Sequence, residues 1–186
     1  MNRQKNLFSR EEMYLMNVEK LHERGVSIEQ IAEIAYKQQA KWNSAISYNE
    51  CLESVEKILS LRDVFHLLQL GAEIDRLTEA EAFNGPIQSI LETDLGMFGI
   101  DELFGLELAG LYGTIGKTNF GDIDVNKPGI IGKLNDAGKK EKGHCHTFLD
   151  DIVGAIAAAA STRVAQIENE LEARKDPSIV EQPKLF

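Results

Sequence analysis

Cysteine is scarce. The 186 residues hold two, Cys51 and Cys145, far apart and in neither Cys-x-x-Cys nor hairpin spacing, which argues against a disulfide framework and a thiolate zinc site. Such usage suits a reducing cytoplasm, the expected location, with peripheral contact at a membrane surface left open. Long apolar runs are lacking as well. The longest charge-free stretch of apolar character, Ile152 to Ala160, is about half of the roughly 20 residues a membrane span needs, so no transmembrane helix is expected. Residues Met1 to Glu12 carry no apolar segment followed by small residues, and no cleaved leader is expected. Positive charge is outnumbered, 20 Lys and Arg against 30 Asp and Glu for a formal charge of −10, which speaks against a nucleic acid partner. Strand-like alternation is missing at every length.

What is present is helical. With 43 % hydrophobic residues, a chain of this length buries roughly 70 % of its unfolded surface and folds as one domain, residues 1–186, without staples. Ser9-Arg-Glu-Glu12, Ser27-Ile-Glu-Gln30 and Ser47-Tyr-Asn-Glu50 match the capping box, in which a hydroxyl and the side chain three residues on satisfy each other's backbone amides. Apolar residues follow at helical period, as in Ile28, Ile31, Ala32, Ala35 and in Leu52, Val55, Ile58, Leu59. A further helix is expected over residues 61–82. Glycine then marks a change: 11 of the 15 fall between Gly96 and Gly143. Beyond Gly85-Pro86 the pattern predicts a short helix to Glu92, a helix over 101–115, a short one around 130–135 and a long Ala-rich helix from Thr147 to Arg174. The expected fold is all-α, an irregular bundle of about six or seven helices around a central C-terminal helix. Residues 1–93 supply the N-terminal helices, 94–175 the chemistry, and 176–186 a loose tail.

Two acidic pairs open helices: Asp101-Glu102 and Asp150-Asp151. Carboxylates there complement the helix dipole, and Thr147 with Asp150 makes a capping-box-like pair, which leaves Asp151 unexplained. Behind each pair runs a stripe of small residues four apart, Gly105, Ala109 and Gly113 after Asp101, and Gly154 and Ala158 after Asp150. Such stripes let helix backbones approach closely. If the two helices lie side by side with their starts at one end, the acids converge, and repelling carboxylates require a counter-ion, for which a hard divalent cation is the natural choice. Between them lies Phe120-Gly-Asp-Ile-Asp-Val-Asn-Lys-Pro128, a turn-rich segment in which Asp and Asn also have an ordinary structural reading.

With Asp101-Glu102-x-x-Gly105, Asp124-x-x-Lys127-Pro128 and Asp150-Asp151-Ile152 in this order, the sequence resembles the phosphatidylglycerophosphatase A family, in its soluble, YutG-like branch. The resemblance spans about residues 94–165 and places the family pattern on Asp101, Glu102 and Gly105, on Phe120, Asp124, Lys127 and Pro128, and on Gly143, Asp150, Asp151 and Ile152. It implies magnesium-dependent removal of a phosphate monoester from a phospholipid headgroup, or from a related phosphate ester. Asp101, Glu102, Asp124, Asp150 and Asp151 would hold magnesium, Asp124 and Asp151 would be catalytic, and Lys127 would contact the phosphate. The pattern departs from the membrane-embedded members: it has no Pro-Gly-Thr motif near the N-terminus and no spanning segments, and Gly121 stands where they carry Arg.

The competing class is a non-catalytic soluble interaction module, or a homo-oligomer, whose acids serve only as caps. Nucleoside triphosphate pyrophosphohydrolases also gather helical carboxylates, but Glu107 is out of register with Glu102 for that site. Gly143-His-Cys-His146 offers soft-metal ligands, yet in a loop and two residues apart. Lys133, Lys139, Lys140 and Lys142 read as a solvated loop, or as a contact for an anionic headgroup or bilayer surface.

Overall fold

Three serines start the first three helices. Ser9, Ser27 and Ser47 each accept the amide three residues on, while Glu12, Gln30 and Glu50 accept the serine's own amide, opening α1 (Arg10–Glu23), α2 (Ile28–Ala40) and α3 (Tyr48–Leu59). The computed structural model describes residues 8–94, 99–140 and 143–175; the tail expected over 176–186 lies outside them. The chain continues through α4 (Arg62–Glu79), α5 (Pro86–Thr93), α6 (Ile100–Gly110), α7 (Gly113–Asn126), α8 (Ile130–Lys140) and α9 (Leu149–Lys175). Pro86 sits at the first position of α5, where its missing N–H costs nothing.

The described residues hold nine helices and no strand, so the all-α reading stands and the helix count is higher than expected. One reason is that the single helix expected over 101–115 is two. The chain breaks after Gly110 and restarts at Gly113, whose φ of +76° suits glycine. The supposedly turn-rich segment that follows is the helix α7. Its buried residues, Gly116, Phe120 and Ile123, fall on one helical face, and packing on that face outweighs the weak helix preference of its Asp, Asn and Gly. Likewise α8, expected around 130–135, runs on through Lys139 and Lys140, which were read as loop; Lys142 lies outside the described residues.

α9 is the centre. Every residue from Leu149 to Thr162 is buried, the burial expected of a helix enclosed on all sides. α2, α3, α4, α6, α7 and α8 all pack on it, α1 packs on α3 and α4, and α5 on α4. Alanines 155 and 157–160 keep that shaft thin enough for so many neighbours.

α6 and α9 pack on each other as the small-residue stripes suggest. The glycines within those stripes also admit the ring of Phe120 from α7. A Cβ at Gly105 would lie 2.3 Å from Phe120 Cζ, and one at Gly154 would lie 3.6 Å from Phe120 Cε2. The ring therefore seats α7 against both helices, bringing the last turn of α7 to the starts of α6 and α9.

Gly105→Ala should cost about 1–3 kcal/mol through this overlap, despite alanine's better helix propensity, and lower Tm by several degrees. Adding Phe120→Leu should recover part of the loss. Strictly additive losses in a double-mutant cycle by thermal melting would show that the ring is not the obstacle.

Candidate functional site

At the end of the bundle where α6 and α9 begin and α7 ends, the chain forms a cleft of about 160 Å³. α6 contributes Asp101 and Glu102, α7 contributes Asp124 with Lys127 just beyond it, and α9 contributes Asp150 and Asp151. All five acids and the lysine singled out from sequence line this one space. Asp94, Gly99, Asn135 and Lys139 complete it. A larger hollow, about 830 Å³ near the start of α1, is lined mainly by apolar residues with Arg10 and Arg62, and Asp63 is its single acid.

Lys127 is the hub. Its ammonium donates to Asp124 Oδ1 at 2.5 Å, Asp150 Oδ2 at 3.0 Å and Asp151 Oδ1 at 3.1 Å. Lys127, which precedes Pro128, is thus half-buried. Its backbone is left-handed (φ +41°), as is that of Asp94 (φ +43°), a conformation costing about 1–2 kcal/mol without glycine. Two strained residues on one small cleft indicate that surrounding structure imposes their placement.

Six carboxyl groups thus share the space with two lysines. Burial raises the Asp151 carboxyl above its usual range, and the charges of Asp150 and Asp124 add to this against the pull of Lys127. Asp150 is raised first by burial and then by Asp94, with Lys127 opposing. Asp101 is also raised by burial, against the amides of Glu102 and Asp101 itself. Burial works against the Lys127 charge, but Asp150, Asp151 and Asp124 outweigh it and hold the ammonium above its ordinary value.

Two charges 4 Å apart interact by about 4 kcal/mol at an effective dielectric of about 20, a large share of a stability of roughly 5–15 kcal/mol. The cleft consequently favours an added cation. Its donors are carboxylate oxygens, the set that hard divalent ions take. Asp101 Oδ1 is buried without a hydrogen-bond partner, so one oxygen is already directed at nothing else. These features fit magnesium, with one condition. Among the described residues no three His, Cys, Asp or Glu side chains form a ready-made metal group, and the Lys127 ammonium stands among the acids. A metal ion requires that ammonium to move.

Asp150 Oδ1 accepts the Asp151 amide at 3.0 Å, but the amides that open α9 are capped from elsewhere. Thr147, expected to pair with Asp150, donates its hydroxyl to Leu91 O at 2.7 Å, and α9 starts at Leu149. The amides of Phe148 and Leu149 donate to Asp75 on α4, at 3.1 and 3.0 Å. Asp75 had escaped notice, although it continues the buried face Leu68, Ala72 of α4, an acid where the apolar period calls for a core residue. Asp94 and Lys139 were missed as a pair; Lys139 Nζ lies 3.0 Å from Asp94 Oδ2 and 2.7 Å from Asn135 Oδ1. The Asn135–Lys139 spacing of four was the available signal.

Other candidates disperse. Cys145 Sγ faces inward to Asp75 Oδ1 and Leu91 O, while His146 Nδ1 lies 3.3 Å from an Arg24 nitrogen. Burial and the Arg24 charge push His146 down to about 4, so the loop does not assemble a soft-metal set. Glu107 is exposed on α6 and does not line the cleft. Gly121 is exposed with open space around it.

The phosphatidylglycerophosphatase A family model matches residues 30–166. It begins in α2, so α3, α4 and α5, which carry packing pattern and no motif, fall within the matched unit, while α1 precedes it. Among curated proteins, the uncharacterized protein YutG of Bacillus subtilis (strain 168) is 44 % identical over 146 residues, 78 % of this chain and 86 % of YutG. The uncharacterized protein YpjQ of the same organism is 41 % identical over 165 residues, 89 % of this chain and 91 % of YpjQ. The crystal structure of low temperature requirement C protein from Listeria monocytogenes superposes with a TM-score of 0.80 at 39 % identity, covering 84 % of this chain and 97 % of that one.

A carboxyl raised on folding adds stability below its unfolded value, near 4, and loses it as pH rises through the folded value. Asp151→Asn removes this load. In metal-free protein the Tm of the variant should therefore gain on the parent between about pH 5 and pH 8. A difference in melting temperature that stays flat with pH would show that Asp151 carries no such load.

Proposed function

This chain belongs to the phosphatidylglycerophosphatase A family, and from that membership we propose a magnesium-dependent phosphatase-like enzyme of phospholipid metabolism. Its substrate is a phosphate monoester: phosphatidylglycerophosphate, giving phosphatidylglycerol, or a related ester. The observation that carries the reading is the gathering of Asp101, Glu102, Asp124, Asp150 and Asp151 in one cleft about Lys127. Asp75 strengthens it by taking the amides of Phe148 and Leu149, which leaves Asp150 Oδ2 and Asp151 Oδ1 to Lys127.

We assign Asp101, Asp150 and Asp151, fixed in the first turns of α6 and α9, as the principal holders of magnesium, with Glu102 and Asp124 completing the set. Bound there, magnesium supplies charge neutralisation on the phosphoryl oxygens and makes water more acidic. Asp124 is about a quarter exposed, against 4 % for Asp151, and so combines solvent access with reach into the cleft. It takes a proton from the attacking water as the water oxygen bonds phosphorus; the ester P–O bond breaks, and the alcohol leaves with a proton from solvent. Lys127, turned away from its carboxylates, meets a phosphoryl oxygen as a point charge.

Among the described residues no helix is long and apolar enough to cross a membrane. A lipid substrate would accordingly be met at a bilayer surface, with Lys139 at the cleft and Lys133 and Lys140 on the same helix as the cations facing an anionic headgroup.

Metal-stripped protein titrated with magnesium, manganese or calcium should show a saturable rise in Tm, about 2.7 kcal/mol of stabilisation at 100 times Kd. Asp124→Asn and Asp151→Asn should each abolish the rise, and Asp151→Asn should remove most phosphatase activity while leaving the fold intact. Phosphatidylglycerophosphate in mixed micelles and soluble glycerol phosphate serve as the two substrate arms. No shift with any of the three metals would contradict the enzyme reading.

A further inference from the structure

The backbone turn that carries the paired acids of α9 is bonded to a group outside the cleft. We propose that Asp75 on α4 is a positioning residue for the cleft, capping α9 from another helix and thereby fixing the direction in which Asp150 and Asp151 project. The inference rests on the reading of the cleft as a cation and phosphate site.

Asp75 is fully buried. Its two carboxylate oxygens accept separately, Oδ1 from Phe148 N at 3.1 Å and Oδ2 from Leu149 N at 3.0 Å. These are amides that a helix start leaves without intrahelical partners, and the next two residues are Asp150 and Asp151. Because side-chain direction on a helix follows from its backbone, any turn or slide of this first turn swings both carboxylates together. A local serine or threonine cap would satisfy the amides but follow the helix wherever it went. A carboxylate held on α4 fixes the register of α9 against a second element. Gly71, four residues before Asp75, makes the approach close enough, since a Cβ there would lie 2.4 Å from Ile152 Cδ1.

The preceding loop is clamped in the same way. Arg24 makes a two-pronged bond to Glu79, at 2.8 and 2.7 Å, and donates to Cys145 O at 2.6 Å; Glu79 Oε1 accepts from Cys145 N at 2.9 Å. Amide and carbonyl of one loop residue are thus both held by charged side chains. Burying charge is costly unless it is fully bonded, and for stability alone a threonine cap would serve. The geometry obtained in return is a fixed entry into the turn that bears the acids.

The test compares Asp75→Asn, which keeps the shape and one acceptor oxygen, with Val55→Ala, a core change on α3 away from the cleft, matched for Tm loss. Glu79→Gln, a milder loosening of the same clamp, stands in if Asp75→Asn does not fold. Two readouts are taken: the half-saturating magnesium concentration from melting shifts, and the carboxyl ¹³C resonances of Asp150 and Asp151 in metal-free protein. The positioning role requires that Asp75→Asn weaken magnesium binding roughly 10–100-fold and displace both resonances, while Val55→Ala does neither. Resonances and magnesium response that match Val55→Ala would overturn it and leave Asp75 a stabilising cap. If the parent shows no saturable magnesium response while the resonances still move in Asp75→Asn, the cation reading of the cleft fails and the positioning role stands.

Discussion

Everything in this molecule answers to the burial of α9 from its first turn. A helix enclosed on all sides cannot leave its terminal amides or first-turn acids to water, so other elements must satisfy both. Asp75 reaches the amides from α4, Lys127 reaches the acids from the end of α7, and Thr147 turns to Leu91 O instead of capping. The alanines of the shaft and Gly71, Gly105 and Gly154 follow from the same enclosure, because six helices approach one axis only where side chains are small.

Enclosure also decides the electrostatics. A solvated pair of aspartates at a helix start is favourable, by up to about 1 kcal/mol each from the dipole. At 4 % exposure the loss of hydration is the first cause raising Asp150 and Asp151 alike. The dipole benefit is smaller than the mutual repulsion of charges a few ångströms apart, so the arrangement is unfavourable for folding by itself and calls for positive charge from elsewhere. Lys127 provides one such charge. Lys139 at Asp94 provides a second, and Asp101 Oδ1 stays without a partner, which connects the packing of the core to the proposed chemistry.

What was legible in the sequence is what depends on neighbours a few residues away. The Ser9, Ser27 and Ser47 boxes are local signals, and each stands in the structure. The order of Asp101-Glu102, Asp124-x-x-Lys127 and Asp150-Asp151 carried the family. What escaped depends on partners far along the chain. Asp75 meets Phe148 and Leu149 more than seventy residues on, and nothing in its surroundings on α4 marks that use beyond an acid on a buried face. α7 was read as turns because its composition is poor in helix formers, whereas its stability comes from Phe120 and Ile123 against other helices. The glycine stripes were recognised as a helix-to-helix approach, whereas the Phe120 ring that also enters them was not, since spacing tells that something approaches closely and not what.

The separation of duties at the start of α9 bears on how such a cleft is kept usable. An acid that caps its own helix is bonded to the backbone and has fewer oxygens to offer a ligand; an acid relieved of that duty is free but uncompensated. Here Asp75 takes the amides of Phe148 and Leu149, in a wall sealed by Cys145, Phe148 and Leu149, and although Asp150 Oδ1 accepts the Asp151 amide, Asp150 Oδ2 and Asp151 Oδ1 stay turned to Lys127 and the cleft. The capping carboxyl and the acids of the cleft thus occupy opposite sides of one helical turn. Loosening the inner side should therefore change the outer side's geometry before it unfolds the protein, because the enclosed shaft holds the rest of α9 in place.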